Sequence, residues 1–483
     1  MIFNSFQFIW LFPMIFLGYY LVTALIGGGN QHPEYQRNIG NGLLLAVSYG
    51  VYAQHNVAYT LILLGVTAVT YVFAIRMERS EDKHRRRLLA VSGGLLALLP
   101  LLVFKYYNFI ITSGNALLEC IHFDTSLPGL NWAIPLGISF FTFQAVGYLL
   151  DVYHGRIRAE RNWWDYMLFV SFFPQVMSGP ISKAKDLLPQ IKACRRFDAA
   201  RATQGLRWFV WGLFLKVVLA DRLGLYVDKV LDNYMYNSGT SCLLACVLYS
   251  LQIYGDFAGY SFMAMGVGKL MGFDLVNNFQ RPYLATSITD FWRRWHISLS
   301  TWLKDYVYIP LGGSRCSKLR NYWNIFVTFL VSGIWHGANW TFVFWGCLHG
   351  AYQIVEKMLG CQKCTTGNPW IRTGRIALTF VLVTVAWIFF RQPSIGDAFA
   401  VIGRIVTEHG AVFMASRKDI VFSAMAILAV AAVDVLREFR PTTFRRCTTG
   451  APVVVRWTAY YAAMLIILLC GVFDSSQFIY VSF

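Results

Sequence analysis

Apolar runs of about 20 residues recur along this chain, and that length constrains what it can become. A helix of that length crosses the hydrocarbon of a bilayer and satisfies its backbone polar groups internally. Candidate spans fall near 6–27, 41–54, 57–75, 89–112, 133–150, 206–221, 240–268, 324–356 (broken), 376–391, 419–436 and 457–472. The runs are continuous, whereas strands of a membrane barrel alternate in short segments, so a barrel is excluded. Only 14% of the 483 residues are charged and 56% are hydrophobic, where a soluble domain carries roughly 25% charged residues. The expected class is an all-α polytopic membrane protein with about eleven membrane segments. No tandem repeat or low-complexity linker interrupts it, so residues 1–483 read as one membrane domain. The first run, Phe6 to Gly27, lacks a basic leader and a clear cleavage site and reads as a spanning helix rather than a signal peptide.

The net charge of +17 does not call for nucleic acid. The cations cluster in short loops between apolar runs, as the positive-inside pattern and contact with anionic lipid require. Arg76, Arg79, Lys83 and Arg85 to Arg87 form the first dense basic loop, and 113–132 has no Lys or Arg. Arg156, Arg158 and Arg161, then Lys183, Lys185, Lys192, Arg195 and Arg196, mark further basic loops. The pattern puts these in the cytoplasm and 113–132 outside. The apolar stretch Tyr166 to Ile181 must then enter and leave on one side, and with Pro174, Gly179 and Pro180 it reads as re-entrant. Irregular backbone at that depth needs protein or a wet cavity around it, so Phe173 to Pro180, Gln175 included, is expected to line an interior cavity.

Similar logic applies to His336, in Val331-Ser-Gly-Ile-Trp-His-Gly-Ala-Asn339. A helix starting near Asn324 would carry it about 18 Å in, past the middle of a core about 30 Å thick. Gly337 and Asn339 permit a break before the chain returns. An ionisable group at such depth is a functional candidate. A neutral imidazole can take the proton of a hydroxyl that is to become a nucleophile. A core histidine bonded to a carbonyl or to another helix is the competing reading.

A second histidine, His296, sits in Phe291-Trp-Arg-Arg-Trp-His-Ile-Ser-Leu-Ser300. Beyond it an amphipathic helix is expected to end at Pro310, with Gly312 and Gly313 turning the chain. Arg293, Arg294, Lys304 and Arg315, interleaved with Trp292, Trp295 and Trp302, suit either a membrane interface or bidentate phosphate binding. Gln252, Tyr254, Asp256 and Tyr260 are polar groups inside another apolar run, and Asp256 there is costly, so that pairing with a nearby arginine and a catalytic role are equal readings. His349 reads as a packing or hydrogen-bonding residue. His32, His55, His84, His122, His154 and His409 fall in or near loops and support nothing specific. Of ten cysteines, Cys242, Cys246, Cys347 and Cys470 read as small buried hydrophobes. Cys361-Gln-Lys-Cys364 has no second ligand pair nearby, and no metal is assigned.

Thr289-Asp-Phe-Trp-Arg-Arg-Trp-His296, continuing to Gly313, and then Gly333-Ile-Trp-His-Gly-Ala-Asn-Trp340 resemble the membrane-bound O-acyltransferases, most closely the bacterial alginate O-acetylation branch. Pro135 to Gln144, Asp151 to Gly155, Phe172 to Pro180 and Lys216 to Arg222 support the resemblance, which runs from about Phe6 to Phe478-Ile-Tyr-Val-Ser-Phe483. It implies broken and re-entrant helices around a central tunnel, His336 as the catalytic histidine and His296 as the second functional one. It raises the phosphate-binding reading of Arg293 and Arg294 above the interfacial one. The flanking Asp290, Trp295, Ser298, Asp305 and Trp335, with Gln175, Gln252 and Asp256, become candidate substrate-binding groups. It also implies acetyl-CoA or an acyl-carrier thioester as donor, with no bound cofactor. A periplasmic transferase subunit and exopolysaccharide machinery are implied as partners, in a bacterial inner membrane. Three other readings stay open: D-alanyl or acyl loading from a carrier protein onto an envelope polymer, a proton-coupled transporter, and a non-catalytic scaffold.

Overall fold

Polar caps set where the helices begin. Asn56 accepts from the Ala58 amide, Asp82 from those of His84 and Arg85, and Asn162 from that of Trp164. Each satisfies donors that a helix start leaves orphaned. Ser287, Ser317, Asn339, Asn368, Ser394 and Ser416 open later helices in the same way.

The computed structural model describes residues 3–26, 33–54, 56–122, 126–363 and 367–473, and within these the regular elements are all helical. In chain order they are α1 (Phe6–Ile26), α2 (Pro33–Ala53), α3 (Val57–Glu78), α4 (Lys83–Leu101), α5 (Tyr107–Cys120), α6 (Ile138–Tyr153) and α7 (Trp163–Ser171). Then come α8 (Phe173–Val176), α9 (Ala184–Lys192), α10 (Ala199–Leu213), α11 (Asp221–Leu231), α12 (Gly239–Leu270), α13 (Ile288–Arg294) and α14 (Ile297–Leu303). The last are α15 (Lys318–His336), α16 (Trp340–Met358), α17 (Pro369–Arg391), α18 (Ile395–Thr407), α19 (Arg417–Phe439), α20 (Pro441–Cys447) and α21 (Val453–Cys470).

Among the described residues, 7 helices are long and apolar enough to cross a membrane, fewer than the segments expected. The expected run 206–221 is not one such helix. It is split by a π-helical segment, Phe214–Ala220, that carries Lys216 into the interior. The broken run 324–356 is two helices, α15 and α16, whose polar groups lower their apolar character.

The chain divides into two compact units, Met1–Arg207 with Ala264–Val276, and Trp208–Met263 with Asn277–Phe483. In the first, the segment expected to be re-entrant forms α7, the short α8 and an extended return, and every residue from 165 to 182 is buried. Gly137 (φ 72°) explains how the preceding turn packs there: a β-carbon would lie 2.0 Å from the Val176 carbonyl oxygen. Ser48 accepts from the Phe173 amide at 3.1 Å, so the irregular backbone is satisfied by protein.

In the second unit, α15 and α16 cross closely. A β-carbon on Gly333 would lie 2.3 Å from the Phe342 carbonyl oxygen, and one on Gly346 2.5 Å from that of Phe329. Small residues let backbones approach this way in membrane bundles. The apolar stretch of α12 is 72% buried, against 11% for α19 and α21, which present apolar side chains outward.

Candidate functional site

The site is built on two short helices of the second unit. α13 starts at Ser287, whose hydroxyl accepts from the Asp290 amide at 3.0 Å, while Asp290 accepts from the Thr286 amide at 3.2 Å. This N-terminal cap is reinforced by Glu356 of α16, which accepts from the Ile288 and Thr289 amides at 2.8 and 2.9 Å. A carboxylate is favoured there by the helix dipole.

Between α13 and α14 the chain turns through Trp295 and His296. His296 is left-handed (φ 44°), a conformation that costs a residue with a β-carbon roughly 1–2 kcal/mol. The segment 278–280 holds the turn in place. Gln280 donates its amide to the Arg294 carbonyl at 2.9 Å, and Ile297 donates to the Asn278 carbonyl at 3.1 Å. The Asn278 side-chain oxygen accepts from the Ser298 amide at 3.0 Å. His296 is thereby fixed against the Phe257 ring, 4.7 Å away and edge-on, and is 0% exposed.

His336 ends α15 at 3% exposure. Gly337 is extended, and a β-carbon on it would fall 2.1 Å from the Phe342 ring. Asn339 then caps α16 through the Thr341 amide. The break expected after His336 is therefore present, although α15 begins at Lys318 rather than near Asn324. His336 consequently lies about 27 Å along its helix. Its ring is enclosed by Trp335 and Trp345, each at 5.0 Å, and by Phe390 at 5.4 Å. The His296 and His336 rings lie 6.4 Å apart, with Trp335 also 5.8 Å from His296.

Trp292, Trp295 and Trp302 are buried. This overturns the interfacial reading of these tryptophans: they pack inward instead of lying in a lipid headgroup layer. Trp295 stacks on Phe291, and Trp292 donates to His349 at 3.3 Å. His349 is thus a hydrogen-bonding core residue.

The cations separate into two kinds. Arg294 is bound to Asp290 at 2.9 Å and to Glu438 of α19 at 3.1 Å. Burial works to lower its pKa, but those two carboxylates hold it above the ordinary arginine range. Arg293, Lys304 and Arg315 are exposed. Asp305 lies 3.8 Å from Lys304 in a π-helical segment that continues α14. The chain turns at Gly312 and Gly313, as expected beyond Pro310, and Asn321 and Asn324 of α15 both donate to the Gly313 carbonyl.

Asp256 is paired, but with Lys216 at 2.6 Å rather than with an arginine. Lys216 also contacts Asp221 at 2.7 Å, and all three are buried. Arginines bind other carboxylates here; the lysine reaches Asp256 because the π-helical segment turns it inward. Gln252 is buried with its amide nitrogen over Gly224. Tyr254 donates to Asp434 at 3.1 Å. Gln175 lies in the first unit, where its amide donates to the Pro180 carbonyl and to Ser182. Trp335 packs against both histidines, Trp295 and Ser298 flank His296 in the chain, and Asp290 is taken up by Arg294 and the start of α13.

Asn278, Glu356 and Glu438 were not anticipated from sequence; the asparagine of the pair Asn277-Asn278 carried no periodic or motif signal. Among the described residues no cluster of three or more His, Cys, Asp or Glu could hold a metal ion, and every cysteine is free. Cys364, Asp124, His32, His55 and the terminal Phe478–Phe483 lie outside the described residues.

Two buried imidazoles walled by aromatic rings, with exposed Arg293 three residues before His296, suit proton transfer to or from a hydroxyl out of water. Residues 160–391, which contain both histidines, match the model of the membrane-bound O-acyltransferase family (MBOAT). The chain is 35% identical to the probable alginate O-acetylase AlgI of Pseudomonas putida, over 97% of this chain and 96% of that protein. It is 38% identical to the protein of the same name from Pseudomonas aeruginosa, over 83% and 74%. It is 36% identical to a peptidoglycan O-acetyltransferase of Helicobacter pylori, over 85% and 80%.

Proposed function

The chain belongs to the membrane-bound O-acyltransferase family, and from that premise we propose that it moves an acetyl group from a cytoplasmic thioester across a bacterial inner membrane. The acceptor is an exopolysaccharide such as alginate, reached with a periplasmic O-acetyltransferase subunit. The observation that carries this reading is the 6.4 Å approach of His296 and His336 in a buried aromatic chamber, inside the segment that matches the family.

Acetyl-CoA is the donor we favour over an acyl-carrier thioester. Exposed Arg293 and Arg315, with Lys304 beside Asp305, supply positive charge for its phosphates. His336 takes the proton of the attacking hydroxyl as its oxygen bonds to the acyl carbon; the carbon–sulfur bond breaks and the thiolate takes up a proton. Such base catalysis contributes roughly 10²–10⁴-fold. His296 supports the step by a hydrogen bond or as a second base. Relatives named for alginate and for peptidoglycan both act on glycans, which supports a sugar hydroxyl as the final acceptor.

The test uses inverted membrane vesicles that contain the chain, the partner subunit and the polymer, supplied with acetyl-labelled acetyl-CoA. Label on polymer inside the vesicles is expected. Label that appears only when an acyl-carrier thioester is supplied would overturn the donor, and no label from either would overturn the transfer.

A further inference from the structure

The described residues other than glycine with a positive φ are His122, Arg281 and His296. The last two belong to one feature. Arg281 (φ 50°) follows the segment 278–280, and His296 (φ 44°) lies in the turn that this segment grips. Both conformations must be held in place by their surroundings.

One carboxylate holds both segments of this clip. Glu438, near the end of α19 and 9% exposed, accepts from Arg281 at 2.7 Å with one oxygen and from Arg294 at 3.1 Å with the other. Arg372 approaches it at 3.6 Å. Arg281 follows the segment 278–280 and Arg294 ends α13, so Glu438 ties the two through their side chains as Asn278 ties them through the backbone. Without that charge, Arg281, Arg294 and Arg372 would lose the carboxylate they share, leaving Asp290 to Arg294 and Asp434 to Arg281, and guanidinium repulsion would spread the segments.

We propose that Glu438 is a positioning residue for the reaction, holding His296 in its left-handed, buried pose through Arg281 and Arg294. Its position, 438, lies outside the family-matched segment 160–391, so the C-terminal part of the chain contributes to setting the geometry of the histidine pair. This inference rests on the reading of His296 as a functional residue.

The experiment uses the full chain reconstituted in liposomes, treated with diethyl pyrocarbonate, with carbethoxylation of each histidine followed by peptide mass spectrometry. Acetyl transfer is measured on the same variants in vesicles containing the partner subunit and polymer. In the wild type His296 is protected. In Glu438→Gln its labelling should rise by about tenfold or more, the factor that loss of a charge-assisted bond gives a local opening. His349, 0% exposed on α16, should stay protected. kcat should fall about tenfold with KM for acetyl-CoA unchanged, since a positioning residue touches no donor, and Glu438→Asp should recover part of both effects.

Arg281→Gln cuts the same tie from the other side and should expose His296 likewise, even if Glu438→Gln does not fold. Unchanged His296 labelling in the folded variants would overturn the proposal. So would equal exposure of His349, which signals general loosening, or exposed His296 with unchanged kcat. A His296→Ala protein that transfers acetyl at the wild-type rate would instead sink the functional reading of His296, while the labelling still reports whether Glu438 holds it.

Discussion

His296 lies in the turn between α13 and α14 and His336 ends α15, yet their rings lie 6.4 Å apart with Trp335 packed against both. The pair exists because two local devices converge, a left-handed turn held by Asn278 and a helix that stops at Gly337.

Asn278 is the first place to test that geometry. Asn278→Ala removes the acceptor that holds the buried Ser298 amide, at a cost of roughly 1–3 kcal/mol. Thermal unfolding in detergent should show a lower Tm, and acetyl transfer should fall with it. Asn278→Asp keeps an acceptor oxygen and should retain more activity than Ala. Equal activity of Ala and wild type would remove the turn from the account.

Gly346 tests the close crossing of α15 and α16. A methyl group there would meet the Phe329 carbonyl at 2.5 Å, and relieving such overpacking typically costs roughly 1–3 kcal/mol. Gly346→Ala should therefore lower the Tm and displace the end of α15 that carries His336. A stable, fully active Gly346→Ala protein would show that the helices can separate without consequence.

Much of the site's local chemistry was legible in the sequence. His336 could be placed at a helix break because Gly337 and Asn339 follow it directly, and the turn at Gly312 and Gly313 was marked by the glycines themselves. What was not legible is held by distant partners. Glu438 meets Arg281 and Arg294 from α19, and no period or spacing announces that contact. Asp256 allows an arginine partner or a catalytic role from sequence, and nothing in the apolar run 206–221 shows that Lys216 reaches it. The residues around His296 allow either a membrane interface or phosphate binding from sequence, because interleaved Arg and Trp have the same composition whether they meet lipid or one another.

The buried Lys216, Asp221 and Asp256 group predicts an order of effects. Asp256→Asn leaves Lys216 paired with Asp221, whereas Lys216→Met leaves two carboxylates buried with no lysine between them. Removing one partner of a buried pair costs roughly 3–5 kcal/mol, and the lysine variant should be the worse of the two. Denaturant unfolding in detergent gives the order directly. Greater loss in Asp256→Asn would contradict the charge count.

The two adjacent arginines should behave differently. Arg293 is exposed, so Arg293→Gln should raise KM for acetyl-CoA by about tenfold or more, as expected for one lost bond to a phosphate, with little change in Tm. Arg294 is committed to Asp290 and Glu438, and Arg294→Gln should lower the Tm. A KM effect confined to Arg294 would reassign the donor-binding charge.

The most direct test of the central claim is the rate at which label from acetyl-CoA reaches polymer inside inverted vesicles, comparing wild type with His336→Ala at equal amounts of folded protein. The proposed mechanism predicts that the alanine variant falls by at least about 10²-fold, the contribution of a positioned base. Transfer by His336→Ala at the wild-type rate would contradict it.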